Sequence, residues 1–166
     1  MPALSKKLQE ALNEQINVEL HSAYVYLSMV AYFEAENWPG FARWMRIQSR
    51  EEIEHAMKIF DFIHDRGGQV TLNAIEKPPV RFRSPLDAFR KAYQHEQKVT
   101  GLIHKLYELA ARENDYPTQV LLHWFIDEQV EEEKITSEAV AKLERAGDDL
   151  AVLALLDEEF GEREED

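Results

Sequence analysis

Glu51-Glu52-Ile53-Glu54-His55 stands in the middle of a helical repeat that otherwise calls for apolar residues. At spacings of three and four, residues 41–62 give Phe41, Met45, Gln48, Glu52, His55, Ile59 and Phe62. Such a stripe is the buried seam of an amphipathic helix. Glu52 and His55 lie one turn apart on it, so both can reach one point inside the protein. A single ionisable residue there is ordinary: a boundary position, or a side chain that snorkels to water. What matters is whether other segments bring partners to the same depth.

Stop and start signals divide the chain into four long helices and a short one. The first, α1, is expected over about residues 5–35, with Ser5 as N-cap; Asn37, Pro39 and Gly40 break it. The second, α2, is expected over 39–66, closed by Gly67-Gly68. Residues 69–83 lack helical period and contain Pro78-Pro79. Ser84-Pro85 opens α3, expected over 85–114, and Pro117 opens α4, expected over 117–146. The short α5 is expected over 148–160. The α1–α2 and α3–α4 turns are short, so these pairs form hairpins. The α2–α3 connection is long enough to run the length of the bundle and leave α2 and α3 parallel. The expected fold is all-α, one domain over 1–166: a four-helix bundle with a long crossover and a short C-terminal helix.

The other long helices carry the same anomaly. Apolar stripes run through Leu12, Glu19, Ala23, Tyr26, Val30 and Phe33 on α1, with Ile16 or Gln15 between the first two. On α3 the stripe is Leu86, Phe89, Tyr93, Glu96, Thr100, Ile103 and Tyr107. On α4 it is Leu122, Phe125, Gln129, Glu132, Thr136, Ala139 and Leu143. Glu19 stands 18 residues before Asn37 and His55 stands 18 after it; Glu96 and Glu132 stand 18 residues either side of Asn114. Equal distance from a hairpin turn means equal height. Glu19, Glu52, His55, Glu96, Gln129 and Glu132 therefore meet at one level if α2 and α3 are parallel.

Carboxylates converging in a dry core repel one another and lose hydration. Four of them carry the charge that two Fe²⁺ ions balance. Oxygen donors with a single imidazole suit iron or manganese. One Glu from each of two helices, with Glu-x-x-His pairs from the other two, is the recurring di-iron arrangement of such bundles. Here the second pair reads Gln129-x-x-Glu132.

Composition narrows the alternatives. Cysteine is absent, which removes disulfides, thiolate zinc sites and Cys-held clusters and fits a reducing cytoplasm. The net charge of −13 argues against nucleic acid and permits cation handling. Residues 1–12 have no secretory-type apolar run, and no run approaches the ~18 apolar residues of a membrane span.

Over nearly its whole length the chain resembles the bacterial and archaeal non-haem ferritins. The resemblance is carried by residues 12–19, Glu51-Glu52-Ile53-Glu54-His55, His95-Glu96-Gln97 and Glu128-Gln129-Val130-Glu131-Glu132-Glu133. It implies a ferritin-like fold and ferroxidase activity, with O₂ or H₂O₂ as oxidant and mineral stored in a shell of about 24 subunits. It implies that Glu19, Glu52 and His55 hold a first iron and that Glu52 bridges to a second. Glu96 would bind that second iron, with Glu132 and Gln129 beside it. Glu51, Glu128 and Glu131 match a third, weaker iron site, and equally suit a solvated acidic face. Tyr26 matches an electron donor or hydrogen-bonding neighbour of the iron, and equally suits a core tyrosine; Trp124 is a weaker match for such a role. His21, His64, His95, His104 and His123 read as surface or packing residues. Bacterioferritins resemble the chain but carry His in place of Glu132 and a haem-binding Met in place of Ile53, so no haem is expected. The alternative within the superfamily is a di-iron or manganese oxidase or peroxidase that stores no mineral.

Residues 150–156, Leu-Ala-Val-Leu-Ala-Leu-Leu, are apolar almost all round. A helix this short needs burial. Packing across the bundle end is one solution; contact with other subunits about a symmetry axis is the other, and the one the resemblance implies.

Overall fold

The computed structural model describes residues 1–165, with α1 at Lys6–Ala35, α2 at Pro39–Asp65, α3 at Pro85–Arg112, α4 at Tyr116–Ala146 and α5 at Leu150–Gly161. Side chains start four of them. Ser5, Ser84, Asp115 and Asp149 each accept a backbone N–H of the first turn. The α1–α2 and α3–α4 turns share one geometry. Asn37 and Asn114 take the left-handed conformation, at φ 59° and 53°. Trp38 N bonds back to Phe33 O and Asp115 N to Ala110 O, closing both helix ends with the same pair of reversed hydrogen bonds. Gly67, at φ 73°, ends α2 in the same way. Because the chain turns at Asn114, α3 closes at Arg112 and α4 opens at Tyr116.

The crossover is fastened to α1 in sequential order. Asn13 donates to Gln69 O and accepts from Thr71 N; Asn17 donates to Asn73 O and Ala74 O; Ser28 donates to Pro79 O. The loop thus travels alongside α1 back toward the α1–α2 turn. It delivers α3 to the end where α2 begins, so α2 and α3 run parallel.

Two apolar clusters fill the bundle. One, at the α1–α2 turn end, contains Tyr26, Met29, Phe33, Phe41, Met45, Phe89 and Leu143; the other contains Leu8, Leu12, Ile16, Ile59, Ile63, Val99, Ile103, Leu122 and Phe125. The α1 and α4 stripes are buried throughout. On α3 the expected stripe shifts: Leu86, Tyr93, Thr100 and Tyr107 sit at the margin, while Ala92, Val99, Leu106 and Ala110 face inward. A straight helix drifts against a 3.5-residue repeat, and α3 follows its own 3.6 period. At the far end Arg66 grips Asp115 through two bonds of 2.8 and 2.9 Å, tying the end of α2 to the start of α4. Among the described residues no helix is long and apolar enough to cross a membrane.

The bundle end offers α5 a core, the first of the two solutions its apolar run allows. Leu153 and Phe160 are buried; the Phe160 ring centroid lies 5.2 Å from that of Phe41 and 5.3 Å from that of Phe89. Leu150, Val152 and Leu155 remain exposed. The contact depends on Gly40, where an added Cβ would meet Asp157 O at 1.6 Å. Asp157 in turn accepts Phe41 N at 2.8 Å, so α5 caps α2, whose own N-cap residue Trp38 makes no side-chain cap. Gly40→Ala should destabilise the fold by about 2 kcal/mol, and Asp157→Ala by about 1 kcal/mol. Thermal melts followed by circular dichroism check this; parental melting temperatures in both variants would refute the docking.

Candidate metal centre

Between the two apolar clusters lies a belt of polar side chains. Glu19, Gln48, Glu52, His55, Glu96, Gln129 and Glu132 are all buried. Three groups of donor atoms each fall within 4.8 Å of one another: Glu19, Glu52 and His55; Glu52, Glu96 and Glu132; and His55, Glu128 and Glu132. Glu52 belongs to the first two, so one carboxylate spans two neighbouring metal-sized positions. Imidazole Nδ1 of His55 faces this pair, 3.2 Å from Glu52 Oε2 and 3.9 Å from Glu19 Oε2; Nε2 lies 3.9 Å from Glu128 Oε1. The ring is wedged edge-on against Trp124 and Phe125.

Neutral donors brace the carboxylates. Gln15 reaches Glu19 at 3.1 Å, and Gln48 donates to both Glu52 and Glu132. Gln129 Nε2 reaches Glu96 Oε2 and Thr100 Oγ1; Tyr26 donates its hydroxyl to Glu96 Oε1 at 2.9 Å. Glu19 Oε2, although buried, has no hydrogen-bond partner. Bracing by neutral groups does not cancel carboxylate charge; protons or a cation can.

The chain matches the ferritin-like domain family over residues 9–146. It belongs to the ferritin family. It is 43% identical to the bacterial non-heme ferritin of Bacteroides fragilis over 160 residues, covering 96% of this chain and 99% of that one. Against the bacterial non-heme ferritin of Staphylococcus aureus the identity is 41%, with 96% of each covered. Among solved structures, the open pore ferritin of the archaeon Archaeoglobus fulgidus superposes with a TM-score of 0.97 at 49% identity, over 98% of this chain and all of that one. In a ferritin, a buried Glu/His cluster at mid-bundle is the expected place for iron oxidation.

The electrostatics of this ferritin's belt suit metal exchange for protons. Burial, and then the other carboxylates, push Glu52 well above the ordinary range; Glu132 is driven up in the same sense, and Glu19 is raised mainly by burial. Glu96 is raised to about 7, burial again leading. Burial, then the neighbouring Lys58, lowers His55 to about 4, so its imidazole is neutral and keeps a lone pair for a cation. Burial, then Glu96, raises the Tyr26 hydroxyl well above its ordinary value.

Glu51, Glu128 and Glu131 stand outside the belt. Together with Glu132 they line a cavity of about 240 Å³. A second hollow, also about 240 Å³, is lined by Glu51, Glu54, His55, Lys58, Trp124 and Glu128. Glu51 and Glu128 border both, and the two hollows reach Glu132 and His55. The five other histidines stay apart from the belt's donor groups; His95 packs with Nε2 2.7 Å from Ser22 Oγ.

Of the braces, Gln129 and Tyr26 are expected from the sequence, whereas Gln15, Gln48 and Thr100 are given no role there. Gln15 and Gln48 each stand four residues before a belt glutamate and Thr100 four after one, a readable signal. Arg163, which donates to Gln48 and Glu51, gave none because it lies beyond the last helix.

Carboxyls with raised folded pKa values bind protons more tightly folded than unfolded. Their contribution to stability is present in acid and is lost as pH climbs from the ordinary carboxyl range through the folded value. For Glu96 that window closes at about 7. The lowered His55 and His95 act in the opposite sense only below about pH 6.5, so the melting temperature of the metal-free chain should fall from about pH 6.5 to about pH 8, and Glu96→Gln should flatten the fall. A melting temperature rising across that range would contradict it.

Proposed function

We propose that the belt is a di-iron ferroxidase centre and that the chain is one subunit of an iron-storing shell. One feature carries this reading: Glu52, shared between two buried donor groups at the meeting of four helices. Glu19, Glu52 and His55 would take the first Fe²⁺. Glu52 and Glu96 would take the second, with Glu132 and Gln129 beside it. Each Fe²⁺ gives up one electron; O₂ accepts two, together with two protons, and leaves as H₂O₂, which can itself serve as oxidant. Carboxyls that are protonated before loading supply protons when metal displaces them. Tyr26, bonded to Glu96, would tune that ligand. Glu51, Glu128 and Glu131 would form a third, weaker iron site beside the belt.

Exposed apolar side chains support assembly. Leu150, Val152 and Leu155 are exposed on α5, Tyr24 and Leu27 on α1, and Leu72, Ile75 and Val80 on the crossover. Separate patches of this kind suit a symmetric homo-oligomer of about 24 subunits. The shell would work in the cytoplasm, where Fe²⁺ persists. Neither nucleic acid, membrane nor haem enters the scheme.

Adding Fe²⁺ in air and separating by size should yield a particle of roughly half a megadalton that turns amber, with far more than two irons per chain co-eluting. A small oligomer holding at most two irons would favour a non-storing oxidase. Glu52→Ala and His55→Ala should each slow the initial oxidation at least about ten-fold with the shell still assembled. Unchanged initial rates in both would remove the ligand assignment. Tyr26→Phe should retain Fe²⁺ binding while altering the oxidation phase; kinetics identical to the parent would leave Tyr26 as packing.

A further inference from the structure

The acidic cavity beside the belt already holds a cation, and it belongs to the protein. Just past the end of α5, Arg163 turns its side chain into the space lined by Glu51, Glu128, Glu131 and Glu132. Its guanidinium carbon stands 4.3 Å from the centroid of the Trp44 ring. Nη1 donates to Trp44 O at 3.2 Å; Nη2 donates to Gln48 Oε1 at 2.9 Å and to Glu51 Oε2 at 3.0 Å. The side chains of Arg163 and Glu51 are only 14% and 13% exposed, so this pair is screened far less than a surface contact.

We infer that Arg163 is a built-in counter-cation of the third iron site, which a metal ion entering between Glu51, Glu128 and Glu131 must displace. The inference rests on the proposed ferroxidase reading and adds a gate to it. The guanidinium already takes up one Glu51 oxygen and part of the cavity's negative charge, so an entering metal competes with it for both. The guanidinium also orients the ferroxidase belt. By holding Gln48 Oε1, it leaves Gln48 Nε2 as the face presented to Glu52 and Glu132, stabilising the metal-free arrangement. Departure of Arg163 frees the Gln48 amide to turn. Metal arriving at the outer site is thereby linked to the donors of the inner one. Arg163 is a positioning residue here, acting through Gln48 and Glu51.

Terbium(III) tests this without redox chemistry. It is a hard, oxygen-seeking trivalent ion, and Trp44 lines the cavity and can sensitise its emission. Assembled shells are titrated with Tb³⁺, and equivalents per chain and their affinities are read from Trp-excited luminescence. With Arg163→Gln the third equivalent should bind tighter by on the order of ten-fold, and the first two, which Arg163 reaches only through Gln48, should shift by a smaller factor in the same direction. Arg163→Lys, which retains the charge but neither the planar fork nor the stacking on Trp44, should fall between the parent and Arg163→Gln. Arg90→Gln removes the same charge from an exposed pair with Glu144 and should change nothing. In a chain carrying Trp38→Phe and Trp124→Phe, the intrinsic Trp44 emission should shift with the third equivalent as the guanidinium leaves its face. A third equivalent unaltered by Arg163→Gln overturns the gate but leaves the iron site standing. No third equivalent in either chain overturns both.

Discussion

Placing four carboxylates between two greasy clusters is the constraint on which the rest of this protein depends. Burial makes each charge costly, and mutual repulsion adds to the cost. The chain answers with neutral donors and protonation, not with lysines drawn into the core. Gln15, Gln48, Gln129 and Tyr26 hold the oxygens in place without cancelling their charge. The belt is therefore organised for cations before any arrive.

Position along the bundle matters as much as chemistry. Both hairpins turn on an asparagine in the left-handed conformation and close with the same pair of backbone bonds. Identical turns make residue counts comparable between the halves, so equal spacing from Asn37 and Asn114 becomes equal height. The crossover completes the argument. Its bonds to Asn13, Asn17 and Ser28 lay it along α1 and fix the parallel sense of α2 and α3. Reverse that sense and the two carboxylate sets would lie at different levels with no shared bridge.

Most of this architecture was readable from the chain alone because its signals are local and repeated: caps, prolines, asparagine turns and stripes interrupted at matched positions. The convergence of Glu19, Glu52, His55, Glu96, Gln129 and Glu132 followed from counting. What counting missed has a common physical cause. Tyr93 and Tyr107 fell to the margin of the core because α3 rotates against a fixed repeat. The seat of α5 depends on a missing Cβ at Gly40 meeting the Asp157 backbone, a contact over more than a hundred residues that no periodicity encodes. Arg163 follows the last helix, where pattern gives no direction to a side chain.

The way α5 meets α2 also bears on the order in which a subunit can become competent. The first hairpin leaves the ribosome early, yet the opening turn of α2 lacks its Asp157 acceptor and the nearby aromatic cluster lacks the Phe160 ring until residues 150–161 are made. The same late segment carries Leu150, Val152 and Leu155 on its outer face. Finishing the interior and exposing this apolar face are thus one event. A chain interrupted before that point has neither the seal over its aromatic cluster nor the acceptor for the first turn of α2, so truncated chains are less stable than complete ones.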